Sequence, residues 1–274
     1  MMKHLWVLWG LFFSLLTVHS AIAEPTFYIT SRSNSGLYKI SGSNSATRID
    51  YLSNVDFASV SGFGNTQLLV TDLSSNKIHI FNPDGTVSQS LQAAYRPESA
   101  IKDNTTGDIL YADYQNHSVR RINVNTGNDT LAWQISSNNA GMYVAQRSSG
   151  LVYMTDWHNI YQASNDAQIA TSDQPRFLIS DAQNLYFGNL NSHSIYKIDS
   201  ANNVSLFWSD PSGTICIYAM SYDQASGNFF ALGQTAGQTL FNIYRFTADG
   251  SISLYLQDIA NLPPPNESSF WAGQ

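Results

Sequence analysis

The chain has 274 residues, a formal net charge of −7, 13 Lys and Arg against 20 Asp and Glu, and one cysteine. The acid balance argues against nucleic acid or an anionic membrane surface as the main partner, since both call for a basic face. With Cys216 alone no intramolecular disulfide can form, so stability has to come from a packed core.

Met1-Met2-Lys3-His4 precedes an apolar run from Leu5 to Val18, and Ala21-Ile22-Ala23 follows it. This is the n-region, h-region and A-x-A cleavage site of a secretory signal peptide over residues 1–23, with Glu24 as the new N-terminus. An uncleaved membrane anchor is the competing reading, but the run falls short of the roughly 18 to 20 apolar residues that a spanning helix needs. No later stretch is long and apolar enough for insertion, so a monomeric protein, secreted or periplasmic, is expected.

From Glu24 onward the chain reads as short apolar strands joined by polar turns, with almost no helical signal. A repeat organises them. Leu68-Leu69-Val70-Thr71-Asp72 is followed by a polar turn and then by Ile78 and Phe81; Ile109-Leu110-Tyr111-Ala112-Asp113 is followed in the same way by Val119 and Ile122. The frame fits Tyr28 to Ser31 with Leu37 and Ile40, and Leu185 to Asn189 with Ile195 and Ile198. Two copies are irregular: Val152 to Asp156 has a shorter turn, and Phe229 to Gly233 a longer one before Ile243 and Phe246. The strand-end anchors Ser31, Asp72, Asp113, Asp156, Asn189 and Gly233 recur at roughly 40-residue intervals, once shortened to roughly 33, and six anchors mean six propeller blades.

Each later anchor has a further strand ahead of it, as Glu98 to Asp103 precedes Asp113. The first anchor has only the removed signal. The tail Asn266-Glu267-Ser268-Ser269-Phe270-Trp271 looks like Pro97-Glu98-Ser99-Ala100-Ile101-Lys102, and residue counting puts Ser268 in phase with Ser99. Residues 24–274 are therefore expected to form a single all-β domain, a six-bladed β-propeller of four-stranded blades. The C-terminal strand completes the first blade, which removes two exposed strand edges. The run Leu262 to Pro265 is a stiff connector into that strand.

Tyr111-Ala112-Asp113-Tyr114-Gln115-Asn116-His117-Ser118-Val119-Arg120-Arg121-Ile122 resembles an NHL repeat, and Val152-Tyr153-Met154-Thr155-Asp156-Trp157 resembles a YWTD repeat. The resemblance implies the propeller fold and, from the NHL proteins, a docking platform for protein or RNA; the acid balance disfavours RNA. More distantly, the gluconolactonase and senescence-marker propellers are similar in architecture and bind a catalytic metal near the channel. Their Glu-Gly-Pro opening and Asn-Gly element are absent here, so no metal ligand carries over.

The recurring Asp72, Asp113 and Asp156 are expected to cap their own turns by accepting backbone N–H groups. His117, His158 and His193 sit in equivalent turns. Zinc would need all three imidazoles within roughly 2 to 2.1 Å of one ion, whereas equivalent turns splay away from the axis, so bridges between blades are expected. Trp133 and Trp208 fall on outer strands as packing or surface residues, and Trp157 lies in a turn where it could meet a ligand.

In phase with Glu98 and Ser99, the residues Asp56, Arg96, Glu98, Asn139, Asp173, Arg176, Tyr218 and Glu267 fall at or near the mouth of the central channel, with Trp157 beside them. Convergent polar groups in a concavity mark a binding site. Asp56, Glu98 and Glu267, if turned inward, could hold a divalent cation such as Ca²⁺, which takes oxygen ligands at roughly 2.3 to 2.6 Å. No nucleophile elbow, phosphate loop, CxxC pair or His-Glu-x-x-His helix occurs, and no catalytic residue is assigned. Three functions follow. The leading one is a non-enzymatic binding propeller for a protein, peptide or glycan; the others are a metal-dependent hydrolase or lactonase at the channel mouth and a structural subunit of an envelope assembly.

Overall fold

A computed structural model describes residues 24–32, 34–42, 44–64, 66–136, 139–172, 174–189, 193–263 and 268–273. The expected signal segment, Asp173 and Glu267 lie outside the described residues. All regular structure described is strand. The first blade holds β1 (Thr26–Ser31), β2 (Gly36–Ile40) and β3 (Thr47–Arg48), and the second β4 (Phe57–Phe63), β5 (Gln67–Asp72), β6 (Lys77–Phe81) and β7 (Val87–Gln92). The third holds β8 (Pro97–Lys102), β9 (Ile109–Asp113), β10 (Ser118–Ile122) and β11 (Asp129–Gln134). The fourth, shorter, holds β12 (Val144–Gln146), β13 (Val152–Thr155), β14 (Asn159–Gln162) and β15 (Ala167–Thr171). The fifth holds β16 (Pro175–Ser180), β17 (Leu185–Asn189), β18 (Ser194–Ile198) and β19 (Val204–Ser209). The sixth holds β20 (Ile215–Asp223), β21 (Asn228–Thr235), β22 (Phe241–Phe246) and β23 (Ile252–Ile259), and β24 (Ser268–Gly273) ends the chain.

Each blade is a four-stranded antiparallel sheet, and the first has the order β24-β1-β2-β3. The C-terminal strand therefore completes the first blade, as the repeat requires. Tyr28 lies opposite Trp271 and Ser31 opposite Ser268. The phase differs by one residue from the count. Ser99 lies opposite Ala112 while Ser269, not Ser268, lies opposite Thr30. No covalent hairpin joins β24 to β1, so the spacing of a continuous hairpin does not constrain their register. A second clasp joins the ends of the chain, where Ala46 N–H donates to Ala260 O at 2.9 Å and Ala260 N–H to Asn44 O at 2.9 Å. Trp271 also packs on Gly62, where a Cβ would sit 2.9 Å from the indole.

The core is a ring of wedges between adjacent blades. Period-2 alternation divides each middle strand between two of them: Ile109 and Tyr111 of β9 pack toward the second blade with Leu69 and Ile80, while Leu110 and Ala112 pack toward the fourth with Val144 and Met154. This is why the strands read as unbroken apolar runs rather than as alternating ones. Between the fifth and sixth blades the wedge is aromatic, with Tyr186, Phe207 and Phe229 edge to face at 4.9 and 5.5 Å. Trp208 of outer strand β19 closes that wedge against Phe246 at 5.4 Å. Arg147 ties the fourth blade to the fifth, donating to the carbonyls of Asp199 at 2.6 Å and Ile198 at 3.3 Å and stacking on Tyr153.

Candidate functional site

The turns after the second strands and the beginnings of the inner strands share one face of the ring. The Asp anchors organise it locally. Asp72 Oδ1 accepts from Ser74 N–H at 3.0 Å and from Asp56 N–H at 2.9 Å, which pins the start of β4 to the turn. Burial would raise the Asp72 carboxyl, but His79 and donors from Asp56, Ser75 and Ser74 hold it well below the usual carboxylate range. Asp113 accepts from Gln115 and Asn116 N–H, and Asp156 from His158 and Asn159 N–H. These carboxylates are structural turn caps, as expected. His117 Nδ1 meets Asn139 O and His193 Nδ1 meets Ile215 O at 2.9 Å, each reaching the next blade. His158 is exposed on its turn and makes no such bridge.

The inner strands carry a device that the repeat does not announce. In four of them the register slips by one residue close to this face, between Phe57 and Ser59, Pro97 and Ser99, Pro175 and Phe177, and Ile217 and Ala219. The extra residues are Ala58, Glu98, Arg176 and Tyr218. A bulge leaves its extra residue outside the ladder and re-aims its side chain. Three of the four bulged residues are among the mouth residues inferred from sequence phase.

Below the mouth runs a central channel of about 690 Å³, lined by Ser99, Tyr143, Arg176, Ser221 and Ser269 among others. Several of its hydroxyls stitch neighbouring inner strands together. Ser99 Oγ accepts from Val144 N–H at 2.9 Å, Ser269 Oγ from Val60 N–H at 3.2 Å, and Ser221 Oγ from Ala272 N–H at 3.1 Å. Much of the polarity of the channel wall thus belongs to the scaffold.

On one side of the mouth, opposite charges meet across three blades. Arg32, from the turn after β1, places Nη1 3.2 Å from Glu98 Oε1 and Nε 3.5 Å from Asp56 Oδ1. Arg96 Nε lies 3.6 Å from Glu98 Oε2, and its guanidinium stacks over Tyr114 at 4.5 Å. The Glu98 side chain is only 7% exposed, and these two arginines offset the cost of burying its charge. Asp56 and Glu98 do converge, but on Arg32. A cation at that point would have to displace a guanidinium, and among the described residues no group of three His, Cys, Asp or Glu is placed to share a metal ion. Arg32 escaped the phase argument because it comes from a turn rather than from an inner strand.

On the other side lie Arg176, Cys216 and Tyr218. Tyr218 donates to Gln234 Oε1 at 3.2 Å, and Cys216 Sγ lies 3.4 Å from His193 Nδ1. Burial raises the Cys216 thiol, with the nearby Arg176 charge opposing it and Asp210 adding to it, so the thiol is a poor nucleophile. Burial likewise raises Tyr218, against the same Arg176 charge. Arg176 Nε is shut off from solvent with no hydrogen-bond partner. Asn139 is on this face but is occupied by His117 and, through Nδ2, by Asp156 Oδ2 at 3.5 Å. Trp157 is half-buried in its turn, its carbonyl accepting from Gln174 N–H at 3.0 Å.

No protein-family profile matches the chain, and no curated protein matches it. Solved structures do. A nidogen/laminin complex aligns at TM-score 0.69 and 12% identity over 92% of this chain and 99% of that chain. Virginiamycin B lyase from Staphylococcus aureus aligns at TM-score 0.62 and 13% identity over 86% of this chain and 85% of that one. A catalytically inactive variant of that lyase with quinupristin aligns at 0.63 and 14% identity over 89% and 88%. At these identities the likeness concerns the fold: the chain is a six-bladed β-propeller of the architecture to which its NHL-like and YWTD-like repeats pointed.

Proposed function

We propose that residues 24–274, released by cleavage after Ala23, act outside the cytoplasm as a monomeric, non-enzymatic binding propeller that holds a protein, peptide or glycan at the channel mouth. The observation that carries this reading is the central channel, a concavity of about 690 Å³ lined by Ser99, Tyr143 and Arg176 among others, within the roughly 300–1,000 Å³ usual for ligand pockets; Glu98 and Tyr218 are the bulged residues next to its lining residues Ser99 and Ala219. The nearby thiol is raised by burial, and the converging carboxylates are neutralised by arginines, which favours recognition over bond-breaking. The nidogen/laminin complex has a propeller of this architecture in a protein–protein assembly. Glycan and peptide arrays probed with the mature protein, and with a Trp157→Ala, Tyr218→Ala double variant of unchanged melting, test the reading. Ligands captured by the parent and lost by the variant support it; ligands captured equally by both place recognition elsewhere, and an empty array favours the structural-subunit reading. Mass spectrometry of the exported protein should find Glu24 at the N-terminus, and an intact Met1 would refute cleavage.

The second reading, a metal-dependent hydrolase or lactonase at the same mouth, draws on the approach of Asp56 and Glu98 to one point and on the lyase neighbour. Calorimetry with Ca²⁺ and Zn²⁺ on the parent and on Glu98→Gln decides it: heat abolished by the substitution raises this reading above binding alone.

A further inference from the structure

Among the described residues, the half-buried and buried arginines of the ring are each held by a carboxylate or by carbonyls, with one exception. Arg32 and Arg96 face Asp56 and Glu98, Arg120 faces Asp129 at 2.9 Å, Arg121 faces Asp103 at 2.6 Å, and Arg147 is caged by carbonyls. Arg176 lines the channel, yet among the described residues no carboxylate lies within ion-pair distance of it; its buried Nε has no acceptor, as is also true of Arg96, Arg121 and Arg147, but those three are held by a carboxylate or by carbonyls and Arg176 is not. Buried donors without partners are rare in folded proteins, and each needs an explanation. The backbone here is held firmly. Arg176 is the extra residue of a bulge, and the following Phe177 ring packs on Gly188 so closely that a Cβ there would lie 2.6 Å from it.

We propose, building on the binding reading above, that the unmatched guanidinium is a receptor for the carboxylate of a small monoanionic ligand, which enters the mouth and reaches Tyr218 beside it. The planar fork of Arg fits a carboxylate through two parallel N–H···O bonds, which a lysine cannot reproduce. The charge count favours one negative charge. Among the described residues, Asp56 and Glu98 are already balanced across the mouth by Arg32 and Arg96, so Arg176 leaves a single positive charge to satisfy. A phosphomonoester carries roughly −1.5 to −2 charges and would overcompensate it in a protein whose formal charge is already −7. Two sources present the same chemistry, an acidic sugar and the C-terminus of a peptide.

The test follows the Arg176 Nε–H resonance in the ¹⁵N spectrum of residues 24–274, assigned by its disappearance in Arg176→Lys. Glucuronate and N-acetylglycylglycine are the carboxylate probes; glucose, N-acetylglycylglycinamide and sodium chloride are the controls. The expected result is a saturable shift of that resonance with one carboxylate probe, at least tenfold weaker with its neutral analogue, and a matching saturable shift of backbone amides that is at least tenfold weaker in Arg176→Lys. The responding probe identifies the source as sugar or peptide. A shift that never saturates, that chloride reproduces, or that is absent with both carboxylates overturns the proposal. Failure here is separable from failure of the binding reading: neutral array ligands lost in the Trp157→Ala, Tyr218→Ala variant, with the Arg176 signal unmoved, would keep the binding site and remove the carboxylate.

Discussion

The two sides of the channel mouth use one backbone device for opposite ends. Glu98 in the third blade and Arg176 in the fifth are both extra residues of a bulge at the start of an inner strand. Glu98 is met by arginines from its own blade and from the first. Arg176 is met by no carboxylate among the described residues. The bulge thus delivers a charged side chain to the mouth, and the neighbouring blades decide whether it becomes part of the scaffold or stays available. A buried charge that has partners is costly to disturb, while one without partners already bears its desolvation cost.

The largest test of this contrast removes the strand that joins the two sides. β24 bonds to the second blade through Ser269 Oγ and Val60 N–H, and to the sixth through Ala272 N–H and Ser221 Oγ. Deleting residues 268–274 should abolish the cooperative melt and not merely fray the tail, because the inner edge of β1 is exposed and the bonds to both neighbouring blades are lost at once. An unchanged, cooperative transition in calorimetry would break the closure argument.

Next in size is Arg32→Met. It takes one arginine away from buried Glu98 and should destabilise the protein by about 3 kcal/mol, the lower end of the range for breaking a buried ion pair, as read from urea unfolding. The companion substitution, Arg176→Gln, should change stability by less than about 0.5 kcal/mol, since it removes a charge that has no partner to lose. Equal losses for the two variants would erase the distinction between the sides.

The smallest effect is in acid. At the far end of the channel Asp103 receives Arg121 Nη2 at 2.6 Å and Gln146 Nε2 at 2.9 Å. Burial would raise its carboxyl, but hydrogen bonds from Gln146, Thr105, Thr106 and Arg121 bring it from 3.8 down to about 2. A folded-state value below the unfolded one contributes stability that is present above pH 3.8 and is lost as pH falls toward about 2. Stability of the parent should therefore decline through that window, and Asp103→Asn should show a shallower decline.

Much of the architecture was legible because a propeller writes its local geometry once per blade. The Asp anchors, the polar turns after them and the returning apolar residues recur at fixed phase, and each cap is closed by residues two or three positions away, as Asp113 is by Gln115 and Asn116. The tail that completes the first blade was visible by the same logic, although its register came out one residue off. Phase also placed Glu98, Arg176 and Tyr218 near the starts of inner strands, where the structure has them. It did not reveal that all three are bulged, because a bulge inserts a residue without leaving a compositional mark.

The sequence by itself determined the number of blades, the closure of the ring and the structural role of the turn carboxylates, since these rest on contacts within a hairpin or on a period. Only the tertiary structure decided which charges at the mouth meet. Arg32 and Glu98 are 66 residues apart and touch because the ring sets a turn of one blade beside an inner strand two blades away. Whether a charge is matched depends on such cross-blade distances, and no periodicity in the chain encodes them.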